Sequence, residues 1–214
     1  PISDGPVPRF DAVRPLRLTA DGVERPRGRP GLQELAEQLV GCTRCPLSEG
    51  RHSVVVGEGD PNAELMFIDG APGAAEDRTG KPCQGEAGEL LTAMIEAGMQ
   101  RARRAVFITH AVKCRPTQDV SISPEDEAAC RPFVEQQIAA VRPRALVILG
   151  QDALDALCPG SASVAELRGQ FIDVCGVPAM PTHHPRELLA NPTLKRAVWQ
   201  DLKRVIARLG WSRS

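Results

Sequence analysis

The stretch Ala145-Leu-Val-Ile-Leu149 is apolar at every position and stops at Gly150. A short apolar run without alternation predicts a strand buried on both faces, as in a parallel sheet covered by helices on either side. Two other runs repeat the pattern. Leu65-Met-Phe-Ile-Asp69 runs into Gly70-Ala-Pro-Gly73, and Ala105-Val-Phe-Ile-Thr-His110 runs into Ala111-Val-Lys-Cys114. Phe171 to Cys175 and Val177 to Met180, split by Gly176, predict a hairpin whose second arm joins the sheet and ends in Pro181-Thr-His-His-Pro185. Val54 to Val56 predicts a further short strand or edge.

Helical periodicity falls between the runs. Leu32, Leu35, Ala36 and Leu39 share one face, as do Ala87, Leu90, Leu91 and Met94. So do Cys130, Phe133, Val134, Ile138 and Val141, behind a Ser123-Pro124-Glu-Asp126 start signal, with Pro132 expected to kink that helix or shift its beginning. Asp152 to Leu157 is a short helix. The last helix, opened by Asn191-Pro192, carries Leu194, Val198, Leu202, Val205 and Leu209. Strands alternating with helices predict a three-layer α/β/α sandwich around a central four-stranded, mainly parallel sheet. Ligands of such sheets bind at the carboxyl ends of the strands, where Gly70 to Gly73, His110 and His184 converge.

Composition narrows the function classes. The chain has 214 residues with formal net charge -1, so a nucleic-acid partner would have to use a local basic patch. No run of about 18 apolar residues offers a membrane span, and no signal-peptide pattern opens the chain as given. A cytoplasmic monomer is the expectation. Residues 1–30, rich in Pro and Arg without apolar periodicity, read as a flexible or loosely docked arm ahead of a single domain at 31–214.

Seven cysteines without a secretory signal point to metal or catalytic use more than to disulfides. Cys42-Thr-Arg-Cys45 follows a helix rather than a strand, which favours half of a metal site over a thioredoxin-like pair. Cys114 and Cys130 complete a set of four whose thiolates suit zinc or an iron–sulfur cluster. Cys83, Cys158 and Cys175 are isolated and read as packing residues.

Four segments then carry a resemblance: Asp69-Gly-Ala-Pro-Gly-Ala-Ala-Glu-Asp77, Gly80-Lys-Pro-Cys-Gln-Gly-Glu-Ala-Gly88, Ile108-Thr-His-Ala-Val-Lys-Cys-Arg-Pro116, and Thr182-His-His-Pro185 with Leu188-Leu189. In that order they resemble the family 4 uracil-DNA glycosylases, from about Leu32 to the C-terminus. The resemblance implies a structural 4Fe-4S cluster on Cys42, Cys45, Cys114 and Cys130. It implies excision of a deaminated or modified base from DNA, with the base flipped into a pocket. Gly70, Ala71, Pro72, Gly73, Cys83, His110 and His184 would line that pocket. His184 would stabilise the departing base, with His110 as a second catalytic candidate. Arg168, Arg186 and Leu188 would contact DNA, the segment from Arg186 acting as a wedge.

The pocket also departs from the family pattern. Gly70 stands where the family usually has a water-positioning Glu, and Asp69, one residue earlier on an extended segment, is expected to point to the other side. Cys83 stands for a stacking Phe, His110 for a base-reading Asn, and His183 for an apolar or aromatic residue. Alternative readings are a glycosylase for a different base, a non-catalytic or covalently trapping DNA-binding relative, and a nucleosidase.

Overall fold

A computed structural model describes residues 29–117 and 122–212. The expected arm at 1–30 lies, apart from its last two residues, outside the described residues. Six strands form one sheet: β1 (Glu58–Gly59), β2 (Leu65–Asp69), β3 (Phe107–His110), β4 (Ala145–Leu149), β5 (Ile172–Val174) and β6 (Val177–Thr182). Their spatial order is β1-β3-β2-β4-β6-β5. The inner four are parallel, and β1 and β5 flank them antiparallel. The four expected parallel strands are therefore the centre of a wider sheet. Val54–Val56 is not a strand. The edge pairing falls instead on Glu58 and Gly59, opposite Ile108 and Phe107.

Helices cover both faces. They are α1 (Arg29–Val40), α2 (Leu47–Gly50), α3 (Ala74–Thr79), α4 (Gly85–Ala93), α5 (Pro124–Val141), α6 (Gly150–Leu157), α7 (Val164–Leu167), α8 (Pro185–Ala190) and α9 (Lys195–Leu209). Alternation along the strands decides which residues each layer receives. Met66, Ile68, Leu146 and Ile148 pack with Val134 and Ile138 of α5 and Leu154 of α6. Leu65, Phe67, Val147 and Leu149 pack with Leu91 of α4 and Val198, Leu202 and Val205 of α9. A third cluster ties Leu35 and Leu39 of α1 to Val112, Cys114, Cys130 and Phe133.

The start of α5 matches its signal. Ser123 Oγ accepts the Asp126 amide at 3.2 Å, and the Asp126 carboxylate accepts the Ser123 amide at 3.0 Å. The helix passes Pro132 without a break, so the proline neither ends it nor moves its start. Asn191 caps a 3-10 turn, Pro192–Leu194, that leads into α9. Pro46 to Gly50 and Ala74 to Thr79, which carry no clear sequence signal, are the short helices α2 and α3. Among the described residues no helix is long and apolar enough to cross a membrane.

Candidate active site and cysteine cavity

The carboxyl ends of β2 and β6 meet at one pocket, with the end of β3 packed beside Asp69. Asp69 and His110 are the last residues of β2 and β3 and face each other in the parallel register. By alternation Asp69 lies on the Leu65/Phe67 face, toward α4. The expectation that Asp69 points away from the pocket is wrong. It lines a cavity of about 330 Å³ together with Gly73, Glu76, Cys83, Leu91, His184 and Arg186. That volume suits a small flat ligand. Gly70 faces the opposite layer: a Cβ there would lie 2.8 Å from Asp152 Cβ of α6. The carboxylate expected to be missing at residue 70 is thus supplied one residue earlier, from the face that does open into the pocket.

Asp69 and His184 form a tight pair. His184 Nε2 lies 3.1 Å from both carboxylate oxygens. The Arg186 amide donates to His184 Nδ1 at 2.9 Å, so the neutral ring carries its proton on Nε2 and donates to Asp69. The ring is held by its place as N-cap of α8 and by contact with Gly150, where a Cβ would lie 2.9 Å from His184 Cβ. The Gly70 amide donates to Asp69 Oδ1 at 2.7 Å, and the Cys83 thiol approaches Oδ2 at 3.6 Å. Burial would raise the Asp69 carboxyl, but the His184 hydrogen bond, the neighbouring imidazoles and the Gly70 amide outweigh it and hold the group below the usual carboxylate range. Asp69 is a carboxylate at neutral pH.

His110 is 1% exposed, and burial pushes its imidazole down to about 4. It is neutral, with Nε2 3.6 Å from Asp69 Oδ2. Burial, followed by the Asp69 charge, pushes the Cys83 thiol well above its ordinary range. Cys83 sits in the left-handed region at φ 50, a strained conformation for a residue with a Cβ. Arg103 donates to the Pro82 carbonyl at 3.0 Å and to Glu58 at 3.0 Å, and the Gln84 amide reaches Glu76 at 2.7 Å. Those bonds hold the loop.

The other candidates separate. Gly73, Cys83, His184 and Arg186 line the pocket, whereas Gly70, Ala71, Pro72 and His110 do not; His110 is buried behind Asp69. Leu188 does not face outward as a wedge must. It is 2% exposed and packed in the core, while Leu189 is 42% exposed at the pocket rim. Arg168 pairs with Asp201 at 3.1 Å and lines a separate cleft with Arg196 and Arg204. Asp201 also accepts the Thr182 hydroxyl at 2.7 Å, which links that cleft to the end of β6. His183 is bound to Glu187 at 2.9 Å. The residues missed from sequence are Asp69 and Glu76. Asp69 was signalled by its spacing of two from Phe67. Glu76 was signalled by its place three residues after Gly73, whose amide it accepts at 3.1 Å.

Cys42, Cys45, Cys114 and Cys130 line one small cavity between α1, the exit of β3 and α5, with Leu39, Ala129 and Phe133. Arg51 Nη1 donates to Cys114 Sγ at 3.1 Å, and the Lys113 amide donates to Cys130 Sγ at 3.3 Å. Four sulfur donors in an apolar shell lined by the Arg44 and Arg51 side chains fit a metal group that carries negative charge.

A parallel sheet with an acid–imidazole pair in a pocket at its carboxyl edge defines an α/β protein equipped for acid–base chemistry on a small ligand. Residues 56–203 match the family model described as the Uracil DNA glycosylase superfamily, and the chain belongs to that superfamily. It is 39% identical over 178 residues to the Type-4 uracil-DNA glycosylase of Thermotoga maritima, covering 81% of this chain and 92% of the relative. It is 37% identical over 180 residues to the Type-4 uracil-DNA glycosylase of Pyrobaculum aerophilum, covering 80% and 91%. A Type-5 uracil-DNA glycosylase of Pyrobaculum aerophilum is 30% identical over 201 residues, covering 79% and 88%.

Proposed function

We propose that this protein is a DNA glycosylase that hydrolyses the bond between deoxyribose and a deaminated base, uracil foremost, as the first step of base excision repair. The Asp69–His184 pair inside the pocket is the observation that carries this reading.

A base stacked in a duplex cannot present its glycosidic bond to the sheet edge, so it must be flipped out. Arg168, Arg196 and Arg204 offer guanidinium groups for the DNA backbone, and Arg186 and Leu189 stand at the rim where a wedge would enter. As the bond breaks, its electron pair leaves with the base and positive charge grows on the sugar. His184 Nε2–H turns from Asp69 to the anionic oxygen of the departing base. Asp69, ionised, stabilises the cationic sugar and accepts the proton of the water that adds to C1′. Cys83 lines the pocket beneath the base, and the neutral His110 backs Asp69 from behind. Without the π surface of the usual pocket, Cys83 holds the base less strictly.

We also infer a 4Fe-4S cluster on Cys42, Cys45, Cys114 and Cys130. Sulfur ligands of a tetrahedral zinc, with bonds of about 2.3 Å, lie roughly 3.8 Å apart. Among the described residues the one trio of potential ligands within 4.8 Å of one another lies elsewhere, so the four thiols are spread more widely than a zinc needs. When bound, the cluster supplies a cross-link between α1, the β3 exit and α5. Cys114→Ala would remove iron and the associated visible absorbance.

The functional test is base release from single- and double-stranded oligonucleotides carrying uracil, hypoxanthine or xanthine, read as alkali-labile abasic sites. Release that depends on His184 and Asp69 supports the reading. Salt-sensitive DNA binding without release from any substrate overturns it in favour of a binding relative.

A further inference from the structure

Behind the pocket wall, against Asp69, lies a buried group that base release does not use. Neither ring nitrogen of His110 has a hydrogen-bond partner among the described residues, although the side chain is 1% exposed. A buried polar group left unpaired costs about 1–3 kcal/mol, so its retention points to a ligand. His110 Nε2 and Cys83 Sγ each lie 3.6 Å from Asp69 Oδ2, and one ligand atom from each of the three residues lies within 4.8 Å of the others.

We propose that Asp69 and Cys83, which line the pocket, and His110 behind them form a binding site for a zinc-class divalent cation. Ligands of a tetrahedral zinc with bonds of about 2.0–2.3 Å lie roughly 3.3–3.8 Å apart, which matches the two 3.6 Å separations. Thiolate with imidazole and carboxylate selects zinc over magnesium or calcium, which want oxygen alone. The donors sit on a fixed frame. Asp69 and His110 are register partners on adjacent strands, and Arg103 fastens the Cys83 loop. His184 Nε2–H, already on the carboxylate, plays the part of the outer hydrogen bond that orients a ligating group. Three protein ligands leave a fourth position for water or substrate. The site is distinct from the four-cysteine cavity, which none of its donors lines.

Binding balances simply. The Cys83 thiol loses its proton to solvent as the sulfur–metal bond forms, the His110 imidazole binds through Nε2 as the neutral ring, and Asp69 binds as the carboxylate. The ion thereby occupies the carboxylate that the glycosylase step needs, and zinc acts as an inhibitor.

This inference goes beyond the glycosylase reading, and its first readout does not depend on activity. Zinc chloride is titrated calorimetrically into the full, iron-loaded protein. The expected result is a single site of the iron-loaded form, with about one proton released per ion across buffers of different ionisation enthalpy. Cys83→Ser and His110→Asn each weaken zinc by at least about 10-fold, the loss already seen when only an outer partner is removed. Iron content and thermal midpoint, measured alongside, identify any variant that has unfolded, and Asp69→Asn then serves in its place. No zinc binding, or equal binding by both folded variants, overturns the site. With an active preparation, zinc inhibits base release by wild type, and its inhibition constant rises at least about 10-fold in Cys83→Ser. Loss of activity without loss of zinc binding would instead count against the glycosylase reading alone.

Discussion

Two buried polar groups sit side by side on β3 and are treated in opposite ways. Thr109 points toward α5. Its hydroxyl meets the Val56 carbonyl at 2.9 Å and Gln137 Oε1 at 3.0 Å, and Lys113 Nζ donates to it at 2.7 Å. Lys113 also donates to Gln137 at 2.6 Å and to the His110 carbonyl, so a fully buried amino group, pushed down to about 7 by burial, is surrounded by oxygen acceptors. His110, one residue on, points toward α4, and its ring has no such partners among the described residues. A satisfied buried network fixes the fold, and the unsatisfied ring marks where something else must bind.

The sharpest way to break that contrast is at the pocket carboxylate. Asp69→Asn keeps the shape but removes the charge, and single-turnover base release should fall about 10³-fold, within the range for loss of an acid–base or charge-stabilising group. A fall under about 3-fold would move the chemistry away from Asp69. His184→Ala should cost about 10²-fold in the same assay, with oligonucleotide affinity nearly unchanged.

On the other side of β3 the effect should be on stability alone. Gln137→Ala leaves Lys113 short of an acceptor in a dry site, and urea unfolding should show a loss of about 2–3 kcal/mol. Base release should proceed at close to the wild-type rate per folded molecule.

The pH dependence separates His110 from Asp69. His110 is held down to about 4, below its ordinary 6.5, so the unfolded chain takes up its proton first as pH falls. Stability should be full above about 6.5 and decline toward about 4, by an amount on the order of 3 kcal/mol in metal-free buffer. His110→Asn should flatten that slope. Asp69 is also lowered, so its contribution is present above the ordinary carboxylate value and is lost only as pH drops through its own lower one. The His110 decline comes first as pH falls and the Asp69 loss follows below it, so the slope between about 6.5 and about 4 reports His110. The smallest effect is at Gly70. Gly70→Ala should cost about 1–2 kcal/mol through contact with Asp152 and should leave base release intact, because residue 70 faces α6.

Much of this was legible in the chain. The unbroken apolar runs at 65–68 and 145–149 gave the parallel core, Gly176 the hairpin, and Ser123-Pro124 the start of α5. The resemblance placed the cysteine set and the pocket loops. What stayed hidden was which face is which. Period two puts Asp69 with Phe67 and Gly70 with Ile68, but only the packing of α4 and α8 against the Phe67 face makes that face the pocket. Leu188 and Leu189 are equivalent in sequence, and the docking of α8 buries one and exposes the other. β1 is two residues long with glycines at 57 and 59, too short and too poor in β-formers for any pattern to show.

The shift of the acid from residue 70 to residue 69 has a consequence for descent. A mutation restoring a carboxylate at 70 would not return the pocket to the usual family arrangement, because Asp152 stands against that position and Asp69 already fills the pocket. Moving the acid would take changes at 69, 70 and 152, and whichever of 69 and 70 changed first would leave two acids or none. Asp69-Gly70 and the α6 residue packed behind them thus act as one unit, in which the position of the acid cannot be exchanged by a single substitution.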